Sequence, residues 1–227
     1  MLARTNRVIT IDLLGFGKSV KPDDSPYDLE AHCSAIEQTL AQIGITEPYI
    51  LVGHSMGAII ALHLATRNQT KIERLLLLGM YTFNSAEEAR AVVTQNKKYL
   101  ELAYYGSSSK ALCTLWCRFS RPISKRLAHF YLPKLPKSVA EDSVLHTWNS
   151  YNKSRHNIVD HQNIQSDLDV LLIPTLMINA KSEPQTVLLN VANLRLNNNV
   201  QLKITKGSHN FPLENPKLIV QAIIGKI

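Results

Sequence analysis

The chain has 227 residues with 45% hydrophobic, 19% charged and 7% aromatic residues, a composition that excludes a disordered, collagen-like or disulfide-scaffold protein and is large enough for one domain or a core with a lid. Three cysteines, Cys33, Cys113 and Cys117, cannot all pair internally, and none stands in a C-x-x-C or zinc-ligand spacing. The net charge of +7 raises nucleic acid or an anionic surface as partners, but no aromatic-interleaved RNA motif, zinc finger or recognition helix accompanies it.

In chain order, Arg7 to Leu13 is a β-branched run ended by Gly15 and Gly17 and predicts a strand. Pro22 to Pro26 is a turn-rich loop. From Leu29 to Ile43 apolar residues recur at helical spacing, and Gly44 stops the pattern. Tyr49 to Val52 predicts a second strand and Ala58 to Thr66 an apolar helix. Ile72 to Leu78 is a third, strongly apolar strand. Residues 81–165 then break the alternation: they are helical and loop-rich, and basic residues outnumber acidic ones there by six. The alternation resumes with a strand over Pro174 to Asn179, a helix near Thr186 to Leu196, and a strand over Val200 to Thr205. Asn215 caps a final helix with Pro216 in its first turn. Continuous apolar strands alternating with helices predict an α/β fold with a mostly parallel sheet covered on both faces. The core comprises 1–80 and 166–227, with a helical cap over 81–165 inserted after the strand at 72–78.

Gly53-His54-Ser55-Met56-Gly57 follows an apolar strand and opens an apolar helix, the context a G-x-S-x-G nucleophile elbow requires. The serine must sit on a strained turn, and the glycines two before and two after are expected to relieve crowding. A lone serine is a poor nucleophile, so a base and an acid are needed. Of eight histidines, His209 follows a late strand in a loop able to present it at the carboxyl edge of the sheet. His54 lies inside the elbow and His63 in the helix after it, and the others fall in helical or insert segments. Glu183, directly after the strand over 174–179, is the candidate acid; Asp167 and Asp169 precede that strand, at its wrong end. The plainer alternatives are a solvated loop histidine and a surface glutamate capping the next helix.

With Ser55, Glu183 and His209 in that order, the sequence resembles the α/β-hydrolase superfamily. Asp12 to Ser19 resembles the loop after that fold's fourth strand, and Ser208 to Pro216 resembles its histidine loop and last helix. The resemblance extends from about Leu2 to the C-terminus and implies Ser55 as nucleophile, His209 as general base, Glu183 as acid in place of the commoner Asp, and the Met56 backbone N–H as one oxyanion donor. It also implies three strands, a His-Gly loop and a first helix ahead of the segment that begins here. Lacking the third of those strands, the runs 7–13 and 49–52 would stand apart by roughly 4.8 Å of extra spacing, and losing the loop's oxyanion donor costs about 2.7–4 kcal/mol. The chain is therefore expected to be an N-terminally shortened form of a longer hydrolase.

The expected activity is hydrolysis of a carboxylic ester or related acyl bond of a small, apolar substrate, without organic or metal cofactor. Leu112, Leu115, Trp116, Phe119, Leu127, Phe130 and Tyr131 are candidates to line an apolar pocket, or merely to pack the cap. The competing reading is an impaired, hydrolase-like protein that binds a small ligand or partner. Gly17-Lys18-Ser19 is similar to the end of a phosphate-binding loop, but Asp12 stands where its leading glycine belongs and Pro22 and Pro26 prevent a following helix. His156 and His161 make no metal-ligand set. No apolar run is long enough to span a membrane, so a soluble protein is expected, and reduced thiols point to a reducing, cytoplasmic compartment, with at most a weak membrane-surface contact of the basic cap and no nucleic-acid partner.

Overall fold

A computed structural model describes residues 2–106, 109–115, 121–131 and 135–225. Among the described residues there is one four-stranded sheet of order β1-β2-β3-β4, made of Tyr49–His54, Ile72–Leu78, Thr175–Ala180 and Val200–Thr205. Every neighbouring pair is parallel, so all four carboxyl ends lie along one edge. The predicted boundaries of β2 and β4 match, and those of β1 and β3 differ by one or two residues.

The near-continuous apolar run of β2 resolves into two faces, because successive side chains point to opposite sides. Leu75 and Leu77 join a large cluster with Ile60, Leu64, Met177, Val187 and Val191. Leu76 and Leu78 join a second cluster with Leu176, Ile178, Phe211 and Ala222. Helices α1 (Leu29–Gln42) and α2 (Met56–Arg67) contribute to the first cluster. Gly44 ends the α1 region at φ 67°, the left-handed turn expected of a helix-stopping glycine.

Between β2 and β3 the chain forms α3 (Ala86–Thr94), α4 (Lys98–Tyr105), α5 (Ser109–Leu115), α6 (Arg121–Tyr131), α7 (Lys137–Asp142) and α8 (Trp148–Ser154). A π-helical turn over Arg155–Asp160 and α9 (Ile164–Asp169) complete this helical insert. It shares the core: Ala89, Ile158 and Ile164 are buried in the first cluster. Arg155 and Asp160 form a buried ion pair, and burial raises the Asp160 carboxyl above its usual range. The Arg155 guanidinium lies 3.8 Å from the Tyr105 ring centroid. After β3 come α10 (Gln185–Ala192), then β4, α11 (Phe211–Glu214) and α12 (Pro216–Ile223). The Asn215 side chain accepts from the Leu218 amide, so the expected cap is formed.

Two expectations need correction. Arg7 to Leu13 has no regular secondary structure, and Val8 and Ile9 are 50% and 38% exposed. β-Branched residues give a segment the capacity for a strand, but a ladder requires a hydrogen-bonded neighbour. None stands beside these residues, and the outer edge of β1 is likewise unpaired among the described residues. Ile50 and Val52 are accordingly 37% and 39% exposed. In the insert, Leu115, Leu127 and Phe130 are 59%, 37% and 69% exposed and do not form an enclosed apolar lining. Trp116 and Phe119 lie outside the described residues, as do the side chains of Leu112 and Tyr131. Cys33 is buried and unoxidised, with burial pushing its thiol up to about 12. Cys117 lies outside the described residues, and no helix among the described residues is long and apolar enough to cross a membrane.

An ion-pair network joins α1, α2 and α9. The His63 Nδ1 lies 3.1 Å from Asp167 Oδ2, and its Nε2 3.5 Å from Glu30 Oε1. The hydrogen bond to Asp167 is the main cause of a raised His63 pKa. A group whose folded pKa exceeds its unfolded one stabilises the fold fully below the unfolded value, about 6.5, and loses that contribution as pH rises through the folded value. Asp167→Asn should therefore cost more stability at about pH 6 than at about pH 8.5, as read by urea denaturation of both proteins. A pH-independent difference would contradict this assignment.

Candidate active site

The site lies on the edge where the parallel strands end. The ladder runs past the strands into the turns: the Ser55 amide donates to Leu78 O (2.9 Å), Gly79 to Ile178 O (2.7 Å) and Lys181 to Thr205 O (2.7 Å). Each turn is therefore tied to its neighbour, and residues 55, 79–81, 181–183 and 207–209 are brought together.

Ser55 occupies φ 55°, ψ −125° between β1 and α2, a conformation that costs a non-glycine residue about 1–3 kcal/mol. Gly53 makes the turn possible, since a Cβ there would lie 2.3 Å from Gly57 O and 2.7 Å from Ala58 Cα. The helix thus approaches the strand too closely for any side chain at 53. The expectation that Gly57 is needed for the same reason is not met, because a Cβ at 57 would have nothing within 4 Å. Met56 is the first residue of α2, so its N–H is one of the first-turn amides without an intrahelical acceptor.

Ser55, His209 and Glu183 meet. Ser55 Oγ is 3.0 Å from His209 Nε2, and His209 Nδ1 is 2.9 Å from Glu183 Oε1. A carboxylate can only accept, so the proton of the neutral imidazole resides on Nδ1 and Nε2 accepts from the serine hydroxyl. The Glu183 side chain is 0% exposed and that of His209 29%: the acid is sealed and the imidazole keeps one open face. Glu183 follows β3 in a turn closed by its own amide donating to Ala180 O. The histidine loop is clamped by Glu214, whose carboxylate accepts from both the amide and the hydroxyl of Ser208. Gly207, at φ 121°, passes so close that a Cβ would lie 2.8 Å from Glu214 Oε2.

Three further residues line the imidazole. His54 donates from Nε2 to the His209 carbonyl at 2.9 Å, and the two rings are 4.9 Å apart at their centroids. Crowding by protein lowers the His54 pKa, opposed by that hydrogen bond, although the residue keeps solvent exposure. Gly79, at φ 55°, leaves room for both rings, since a Cβ there would lie 3.3 Å from His209 Cε1 and Nδ1 and from His54 Nε2. The Tyr81 ring packs 4.5 Å from that of His209. Sequence reading set His54 aside and gave no signal for Gly79 or Tyr81, beyond their place just after β2.

The phosphate-loop resemblance dissolves in the structure. Asp12 Oδ2 accepts from the Lys18 amide at 2.8 Å, and the Asp12 carboxylate lies where a Cβ of Gly17 would be. The chain's own anion fills that loop. A cavity of about 570 Å³ between this loop and α1, lined by Asp12, Lys18, Ser34, Gln38 and Thr39, includes none of Ser55, Glu183 or His209.

A family model described as alpha/beta hydrolase fold matches residues 2–216. The chain belongs to that family. A protein of Arabidopsis thaliana described as probable lysophospholipase BODYGUARD 4 is 28% identical over 170 residues, covering 67% of this chain and 39% of its own length. The 2-hydroxymuconate semialdehyde hydrolase of Pseudomonas sp. (strain CF600) is 37% identical over 103 residues, covering 44% of this chain and 36% of its own. The present alpha/beta hydrolase chain thus spans well under half the length of these relatives. The crystal structure of an enol-lactonase from Burkholderia xenovorans LB400 superposes with a TM-score of 0.63 at 19% identity, over 95% of this chain and 78% of that one. That likeness establishes the fold.

The strain at residue 55 makes a signed prediction. Ser55→Ala and Ser55→Gly both remove the hydroxyl and differ only in Cβ. At an ordinary position glycine is the less stable by about 0.5–1 kcal/mol; here Ser55→Gly should be the more stable, by about 1–2 kcal/mol in chemical denaturation. Equal stability, or the ordinary order, would show that the turn holds no strain.

Proposed function

We propose that this alpha/beta hydrolase cleaves a carboxylic ester, or related acyl bond, of a small apolar substrate through a covalent acyl-enzyme. The observation that carries this reading is the unbroken hydrogen-bond chain from the Ser55 hydroxyl through His209 to the buried Glu183.

Ser55 Oγ attacks the carbonyl carbon while its proton passes to His209 Nε2. Glu183, sealed from water, holds the imidazole in the tautomer that can take that proton and balances the imidazolium that results. The tetrahedral oxyanion accepts from the Met56 N–H at the start of α2, where the helix dipole also favours negative charge. Collapse breaks the ester C–O bond, and the alcohol departs with the proton from Nε2. Water then repeats the sequence on the acyl-serine, releasing the acid and restoring the hydroxyl. No step calls on a cofactor. A relative described as a probable lysophospholipase supports an ester carbonyl as the reacting group and an apolar acyl chain. The helical insert between β2 and β3 is assigned the role of cap over this edge.

Hydrolysis of p-nitrophenyl esters of graded acyl length tests the reading. Turnover should favour medium-length acyl chains over acetate, and both Ser55→Ala and His209→Gln should lower kcat by roughly a thousandfold or more. Ser55→Ala retaining wild-type turnover, or a preference for short polar amides, would overturn it.

A further inference from the structure

The Glu183 carboxylate is only half accounted for. Oε1 accepts from His209, whereas among the described residues no donor reaches the buried Oε2 in hydrogen-bond geometry. A buried carboxylate oxygen without a donor is costly. Glutamate adds a second difficulty in this role: it has one more rotatable bond than aspartate, and a single hydrogen bond does not fix the orientation of both oxygens.

The group suited to supply the missing contact is Tyr81. It leaves the end of β2 two residues beyond Gly79, its ring lies 4.5 Å from the His209 ring, and Phe83 packs edge-on against it at 5.9 Å. Its backbone is fixed from the helical insert: Gln162 donates from Nε2 to Tyr81 O at 3.0 Å and accepts at Oε1 from the Phe83 amide at 2.9 Å. Burial, and then the adjacent Glu183, drive the phenol far above its usual range. It therefore stays protonated and remains a donor under all ordinary conditions.

We propose that Tyr81 is a positioning residue, whose hydroxyl donates to Glu183 Oε2 and so holds Oε1 on the imidazole. It acts through Glu183 and touches no reacting atom. Because Gln162 fixes the backbone on both sides of the Tyr81–Phe83 segment, the same contact ties the seating of the helical insert to the geometry of the acid. The proposal rests on the hydrolase reading above, and its test separates the two.

Tyr81→Phe keeps the ring and removes the hydroxyl. In ester hydrolysis it should lower kcat about tenfold with KM within about twofold, and it should lower kcat no further in a Glu183→Gln background. The low-field NMR resonance of the His209 Nδ1 proton should move in Tyr81→Phe, a readout that needs no turnover. From the other side, the ring ¹³Cζ resonance of Tyr81 should move in Glu183→Gln and stay in place in Ser55→Ala, which tests the contact even where Tyr81→Phe does not accumulate folded. An unmoved Nδ1 proton, an unmoved ¹³Cζ signal, or a full Tyr81→Phe effect persisting in Glu183→Gln would each overturn the proposal. A wild-type protein that turns over no ester while both resonances move as stated would sink the hydrolase reading and leave the Tyr81–Glu183 contact standing.

Discussion

Everything at this site depends on how closely α2 approaches β1. The gap where a Cβ of residue 53 would stand is already occupied by the backbone of Gly57 and Ala58, so the chain must reverse within one residue. That residue is Ser55, forced to positive φ. The strain is local, and the ladder bond from its amide to Leu78 O and the burial of Ile59, Ile60 and Leu62 in the following helix over-determine it. A serine in a relaxed turn would be free to rotate toward solvent; this one presents its hydroxyl to the open face of the sheet edge.

The parallel sheet does the remaining positioning. Since all four strands end on one edge, residues far apart in the chain meet with short connections: Ser55 after β1, Glu183 after β3, His209 after β4. Between them stands β2, whose following residues carry no charge but supply shape. Gly79 leaves room for two imidazoles, and Tyr81 walls one of them. Charge at the site is graded by access to water: the carboxylate is sealed, the imidazole half-open, and His54 held toward neutrality. In the proposed acyl transfer this order gives the moving proton a defined donor and a defined acceptor.

Much of this was legible in the sequence, for identifiable reasons. The bounds of β2 are legible because an apolar run is flanked by turn residues, those of β4 because an apolar–polar alternation is, and the start of α12 because Asn215 and Pro216 mark it. Ser55 could be singled out by the Gly53–Gly57 motif, and Glu183 and His209 because each follows a predicted strand; the ends of parallel strands share an edge whatever the details of packing. Composition misled at Arg7 to Leu13, where β-branched residues gave the capacity for a strand without the neighbour that makes one. Gly57 belongs to the motif, yet the space beside it is open; its partner Gly53 alone carries the steric requirement. His54, Gly79 and Tyr81 left no usable signal, because their importance arises from adjacency to His209 across the sheet, which no local pattern records. The insert's apolar residues show a periodicity that does not distinguish a pocket lining from an exposed helix face, and Leu115 and Phe130 prove to be exposed.

The central claim is that the Ser55 hydroxyl is activated by its neighbours His209 and Glu183. Incubation with a fluorophosphonate followed by peptide mapping tests it most directly, because the reagent phosphonylates a serine only where a base takes its proton. The account predicts a single adduct on Ser55, formed much more slowly in His209→Gln and in Glu183→Gln. An intact, folded protein that takes up no reagent at Ser55, or takes it up equally fast without His209, would contradict it.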